Sequence, residues 1–349
     1  MKVSQQQLLM TLAFAMSTLA IFSTAGADPI TGRDVLKFSQ QPMINTTVPD
    51  LQGVPTVYHG HDELSTAYGF GNAAAPPVLY QGKFMADDFA DNFNSPVVHV
   101  KWWGSYLDNH INPNLPVNKF LIAFEPDVPA NQNPAGFSHP GTPAFSQVVT
   151  RNAISVGSGT FTETPKLVTP GVESIYEYNA ELHLGKDFPQ KADTVYWLKV
   201  VAMVDVPANQ TFDPYNPPAN VTRWGWHNRD YTVPNPLASP NVMPGEQNQG
   251  PFQGVPVYHF QDNAVTGDVR INTLPPATPI MPDVFQPIQN MMPTHYVDGL
   301  DGPGALGAIG IRNFSKDLAF ELYTVVPEPA SGLLMVFGLA GLAARRRSA

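Results

Sequence analysis

Proline sets the first limit on this chain. Thirty-six of its 349 residues are Pro, about twice the usual share of ~5%. They recur from Pro29 to Pro303 so often that a long helix has no place to run. An interior Pro removes a backbone donor and clashes with the preceding turn. Twenty Phe, twelve Tyr and five Trp push the other way, toward strands. Charged residues make up 14% and hydrophobic residues 43%, which is too apolar for a disordered chain.

Strand patterns fill the space between the prolines. Val78–Met85 and Val97–Gly104 are apolar and β-prone. Phe120, Ile122 and Phe124 alternate with Leu121, Ala123 and Glu125. Tyr176, Tyr178, Ala180, Leu182 and Leu184 alternate with Glu177, Asn179, Glu181 and His183, a period of two with one dry and one wet face. Val195–Met203 is apolar on both faces except at Lys199, so it reads as a central strand. Leu318, Phe320 and Leu322 close the body. Pro-rich loops at 126–143 and 204–256 separate these runs, and residues 28–77 read as irregular. Antiparallel strands with long loops argue for an all-β, jelly-roll-like sandwich. An N-terminal signal-peptide helix and a short C-terminal hydrophobic helix complete the expected organisation: 1–27, 28–77, 78–325 and 326–349.

The two ends read as addresses. Lys2 precedes an apolar stretch from Leu8 to Phe22, and Ala25-Gly26-Ala27 offers small residues for signal cleavage before Asp28. At the other end Pro327-Glu328-Pro329 is followed by the apolar run 330–344 and by Arg345, Arg346 and Arg347. Fifteen residues fall short of the ~20 a stable span needs. The arginines would hold the tail on the cytoplasmic side.

This tail resembles the PEP-CTERM sorting signal of Gram-negative bacteria. The resemblance implies transient insertion in the inner membrane, processing by a membrane exosortase, and delivery to the surface or an exopolysaccharide matrix. The body resembles an uncharacterised family of exported bacterial β-sandwich domains, through Ala86-Asp87-Asp88-Phe89, Trp102-Trp103-Gly104-Ser105-Tyr106, Phe137-Ser138-His139-Pro140-Gly141, Tyr196-Trp197-Leu198, Trp224-Gly225-Trp226 and Leu318-Ala319-Phe320-Glu321-Leu322-Tyr323. That second resemblance implies a fold and no activity.

Charge and cysteine count exclude several classes. The formal charge is −10. Lys2 and the tail carry three net positive charges, so the body alone stands at −13. Such a body is a poor nucleic-acid binder, because that affinity rests on Lys and Arg against phosphate. With no Cys, a disulfide framework, a thiolate zinc site and a cysteine nucleophile are ruled out.

The remaining constellations give competing readings. Trp102, Trp103, Trp224 and Trp226 read either as core or as a platform for sugar rings. Asp87 and Asp88 with Asp91, and separately Asp298 and Asp301, are carboxylates that a structural Ca²⁺ would suit, or simply turn caps. His59, His61 and Asp62 could supply part of a metal site if another histidine joined them. Glu177 and Glu181 share a strand face about 13 Å apart by strand rise, too far for a paired-acid glycosidase, and no nucleophile elbow, metalloprotease or phosphate-loop motif occurs. The resulting expectation is a non-enzymatic surface or matrix protein, structural or adhesive in exopolysaccharide or biofilm. A carbohydrate-binding module built on loop aromatics is the alternative, and a glycan-acting enzyme the third reading.

Overall fold

A computed structural model describes residues 34–49, 54–72, 74, 77, 79–132, 134–151, 159–168, 173–182, 187–242, 258–273, 290–293 and 316–325. In chain order its strands are β1 (Asp34–Gln40), β2 (Thr46–Pro49), β3 (Pro55–Tyr58), β4 (Asp62–Leu64), β5 (Thr66–Gly71), β6 (Leu79–Phe89), β7 (His99–Tyr106), β8 (Val117–Val128), β9 (His139–Pro140), β10 (Phe145–Thr150), β11 (Gly159–Leu167), β12 (Ile175–Glu181), β13 (Tyr196–Pro207), β14 (Trp224–His227), β15 (Val265–Asn272), β16 (Met292–Pro293) and β17 (Phe320–Val325). Helical content among the described residues is two short 3-10 turns, Leu107–Asn109 and Ala130–Gln132. The fold is the all-β sandwich that the proline and strand patterns predict.

Fifteen strands share one hydrogen-bonded sheet, and β2–β3 form a separate hairpin. The sheet folds back on itself. β7 pairs with β14, β14 with β4, β5 with β13, β13 with β8, β8 with β10, β10 with β11, β11 with β12, and β12 returns to β7. Ser65 closes this circuit between β4 and β5. Its N–H donates to the Trp224 carbonyl at 3.0 Å, and its carbonyl accepts from Ala202 N–H at 2.9 Å. The two layers are therefore stitched along both sides. Two of the pairings, β10–β11 and β13–β5, are parallel.

Aromatic rings fill the space between layers. Trp102 on β7 stacks on Tyr178 of β12, with centroids 5.4 Å apart, and meets Phe120 of β8 edge-on at 5.1 Å. Trp224 meets Phe120 at 4.9 Å. Toward the other end Phe124 stacks on Phe188 at 4.5 Å, and Phe38, Phe89 and Phe320 cluster between β1, β6 and β17. Gly104 is required here: a Cβ at that position would lie 2.3 Å from the Trp224 ring.

β13 is buried on both faces because it is the wall between two cores. Leu198, Val200, Ala202 and Val204 face the main core. Trp197, Val201 and Met203 face a smaller one with Tyr80, Phe84, Leu121 and Ile271. Lys199 falls on the second face, where its ammonium lies 2.7 Å from Glu125 of β8 and 4.2 Å from the Phe84 ring centre. Burying either charge alone would be costly, and the pair offsets that cost.

Two expectations change. Residues 28–77 were expected to be irregular, yet the described part carries β1 through β5. These strands are short and Pro-bounded, so their own periodicity is weak, and pairing with β17, β14, β13 and β6 makes them regular. The Pro-rich loop 204–256 likewise contains β14, four residues inserted between β4 and β7. The expected helices at 1–27 and 326–349 lie outside the described residues. No helix among the described residues is long and apolar enough to cross a membrane.

Candidate functional site

The tryptophans are not a platform. Trp102, Trp224 and Trp226 are fully buried and Trp103 is 4% exposed. Trp102 and Trp224 lie in the ring stack described above. Trp226 Nε1 donates to the Ala319 carbonyl at 2.9 Å, and Trp103 packs with Leu167 and Ile175. Cross-strand partners on both sides of β7 explain why adjacent Trp102 and Trp103 are both covered.

Asp87 and Asp88 are not at a wet strand end either. Both lie in β6 with no exposure. Asp87 Oδ2 accepts from Leu318 N–H at 2.7 Å, and Asp88 Oδ1 accepts from Asp262 N–H at 3.3 Å. Burial, and then the charge of Asp317, push the Asp87 carboxyl well above the usual carboxylate range. Burial, followed by Asp87 and Asp262, does the same to Asp88. Asp317 goes the other way. Burial acts to raise it, but His259 Nδ1 at 2.6 Å and Arg229 at 3.2 Å outweigh that and hold it low. The cluster thus pushes the Asp87 and Asp88 carboxyls up and the Asp317 carboxyl down. Asp91 is buried too, 3.6 Å from Lys37. Among the described residues no group of three His, Asp or Glu could hold a metal ion. Asp298 and Asp301 lie outside the described residues.

Next to this cluster an open cavity of about 480 Å³ is lined by Asp127, Ser138, Asp193, Thr194, Gln261 and Asp262, with Pro126, Val195 and Val242. The β8 end and the β9 turn bring its polar groups together. Trp197 Nε1 and Ser138 Oγ both donate to Asp127 Oδ1, at 2.8 and 2.5 Å. Ser138 also bonds to Asp262, whose carboxyl is raised chiefly by burial, with the Ser138 bond opposing the rise and the Asp127 charge adding to it. Nothing in the sequence joined Asp127 to Asp262. Asp262 lies in the loop before β15 and is linked to Asp127 of β8 through Ser138.

A second polar group surrounds His227 of β14. Its Nδ1 faces Asp62 at 3.1 Å and its Nε2 faces the Met43 carbonyl at 2.9 Å. Burial alone would favour the neutral ring, but Asp62 outweighs it and the imidazole is raised. Glu173 nearby is raised to about 7 by burial, with Asp62 adding to it. The metal-site reading of His59, His61 and Asp62 fails on this geometry. Asp62 is committed to His227, both of whose nitrogens are engaged, and His61 faces Glu63 at 3.6 Å.

Ala25, Ala27, Pro327, Glu328, Pro329 and Arg345–Arg347 lie outside the described residues. The body ends in β17 at Val325, two residues before Pro327. A family model described as Domain of unknown function (DUF7901) matches residues 36–267, and the model of the PEP-CTERM protein-sorting motif matches residues 325–347. No curated protein and no solved structure matches the chain.

Proposed function

The chain belongs to the family described as Domain of unknown function (DUF7901), and from that membership together with its sorting motif we propose that it is a non-catalytic structural protein of a bacterial surface matrix. Its C-terminal motif marks it as an exosortase substrate exported to the cell surface, and this single observation carries the proposal. In a Gram-negative cell the apolar run 330–344 with Arg345–Arg347 would anchor the chain in the inner membrane until it is processed. The construction of the body supports a structural role. Its five tryptophans are committed to packing, both sides of the sandwich are closed by strand pairing among the described residues, and with no Cys it holds together without disulfides. A body of −13 would associate with anionic exopolysaccharide through divalent cations, since direct contact is repulsive.

Deleting residues 327–349 tests the reading. The truncated chain is expected to leave the surface fraction for the medium or periplasm. An unchanged distribution and an unchanged processing pattern would refute it.

The cavity at Asp127 favours a second reading, the binding of a hydroxyl-rich chain such as a polysaccharide. Carboxylates and amides at a pocket floor are acceptors and donors that sugar hydroxyls use. Polysaccharide retention lost in Asp127→Asn, with the fold intact, would support it. Equal retention by the parent and the variant, or none by the parent, would remove it.

A further inference from the structure

β17 belongs to the fold and to the sorting motif at once. The strand runs Phe320–Val325, and the motif match begins at Val325. On one side β7 pairs with β17 only from Phe320 to Tyr323. On the other side β1 continues, pairing Val35 with Thr324 and Asp34 with Val325. Among the described residues the last two residues of β17 therefore pair only with β1. Asp34 also reaches past β17, with its carboxylate 3.8 Å from His99 Nδ1 on β7 and both side chains shielded from solvent. β1 is in turn the first described strand, beginning six residues after the expected signal-cleavage product Asp28.

The geometry points to β1 as a clasp on the sorting motif. A processing enzyme takes its peptide in extended form, and the same backbone groups cannot pair with β1 and with an enzyme together. Engagement of Val325 then requires the Asp34–Val325 and Val35–Thr324 pairs to open, while β7 keeps the rest of β17 in the sheet. Strand ends open locally without global unfolding, so the body stays folded while its last two residues are released. The inference rests on the exosortase reading above and adds a control point: the N-terminal strand governs how much of the C-terminal motif is offered.

The absence of cysteine allows a clean test in cells that process the full chain. Val35→Cys with Thr324→Cys would lock the clasp. Ser39→Cys with Glu321→Cys, a pair at the far end of the same two strands, is the control. Processing is followed as the shift from precursor to mature mass. The locked chain is expected to mature at least tenfold more slowly than the control and to recover when a reductant is added, which also shows that it folds. Inserting Gly-Ser-Gly-Ser between Thr324 and Val325 of the locked chain should restore maturation without reductant. Maturation of the locked chain at the control rate, or equal slowing of both pairs, would overturn the clasp. Failure of the exosortase reading shows instead in the unmodified chain.

Discussion

The Ser65 hydroxyl donates to the Val200 carbonyl at 2.5 Å and accepts from Met85 N–H at 2.9 Å. With the two backbone bonds of the same residue, this one serine ties β14, β13 and β6 at the point where the chain changes layers. Ser65→Ala leaves the buried Met85 N–H without an acceptor. The expected loss is about 1–3 kcal/mol, read as a lower midpoint in chemical denaturation of the body. An unchanged midpoint would show that the seam does not depend on the hydroxyl.

The Lys199–Glu125 pair predicts an asymmetry between single and double changes. Glu125→Gln or Lys199→Met alone leaves one buried charge uncompensated and should cost about 3–5 kcal/mol. The double variant Glu125→Leu with Lys199→Met should recover most of that, because apolar groups of similar size suit this dry face. A double variant as unstable as either single one would contradict the pairing.

Trp226 offers a direct contrast between packing and binding. Trp226→Ala removes a fully buried ring and its bond to the Ala319 carbonyl, and should cost about 3–5 kcal/mol. The measurement is thermal unfolding beside polysaccharide retention. Stability should drop, with retention falling only as the folded fraction falls.

Glu173 makes stability depend on pH. Its carboxyl sits at about 7 in the folded protein against 4.5 for the ordinary group, so the folded state holds the proton more tightly. This contribution favours folding below about 4.5 and is lost as pH climbs to about 7. Glu173→Gln should flatten that slope and leave the protein about 2 kcal/mol more stable at pH 8, after discounting for partial solvent access. Urea melts at pH 5 and pH 8 decide it. Equal gains at both values would disprove the assignment.

What the sequence made legible follows from range. Alternation at Tyr176, Tyr178 and Ala180 and the doubly apolar run around Lys199 are local patterns, and β12 and β13 appear where those patterns lie. Proline density correctly excluded long helices among the described residues. The short strands β4 and β14 were missed because three or four residues carry no usable period, and they are strands only because Ser65 and Gly104 let them nest. Site reasoning failed for a related physical reason. Two adjacent tryptophans left core and platform readings open, and β7 covered on both faces makes both of them core; two adjacent aspartates suggest a turn, yet Asp87 and Asp88 are fully buried in β6. The sorting tail was readable because its parts are contiguous in sequence and need no fold to be recognised.

Intact mass spectrometry of the protein recovered from the cell surface tests the central claim most directly. The account predicts a chain beginning at Asp28 and ending close to the Pro327-Glu328-Pro329 motif, without Arg345–Arg347. A surface-borne chain that still carries its full C-terminal tail would contradict it.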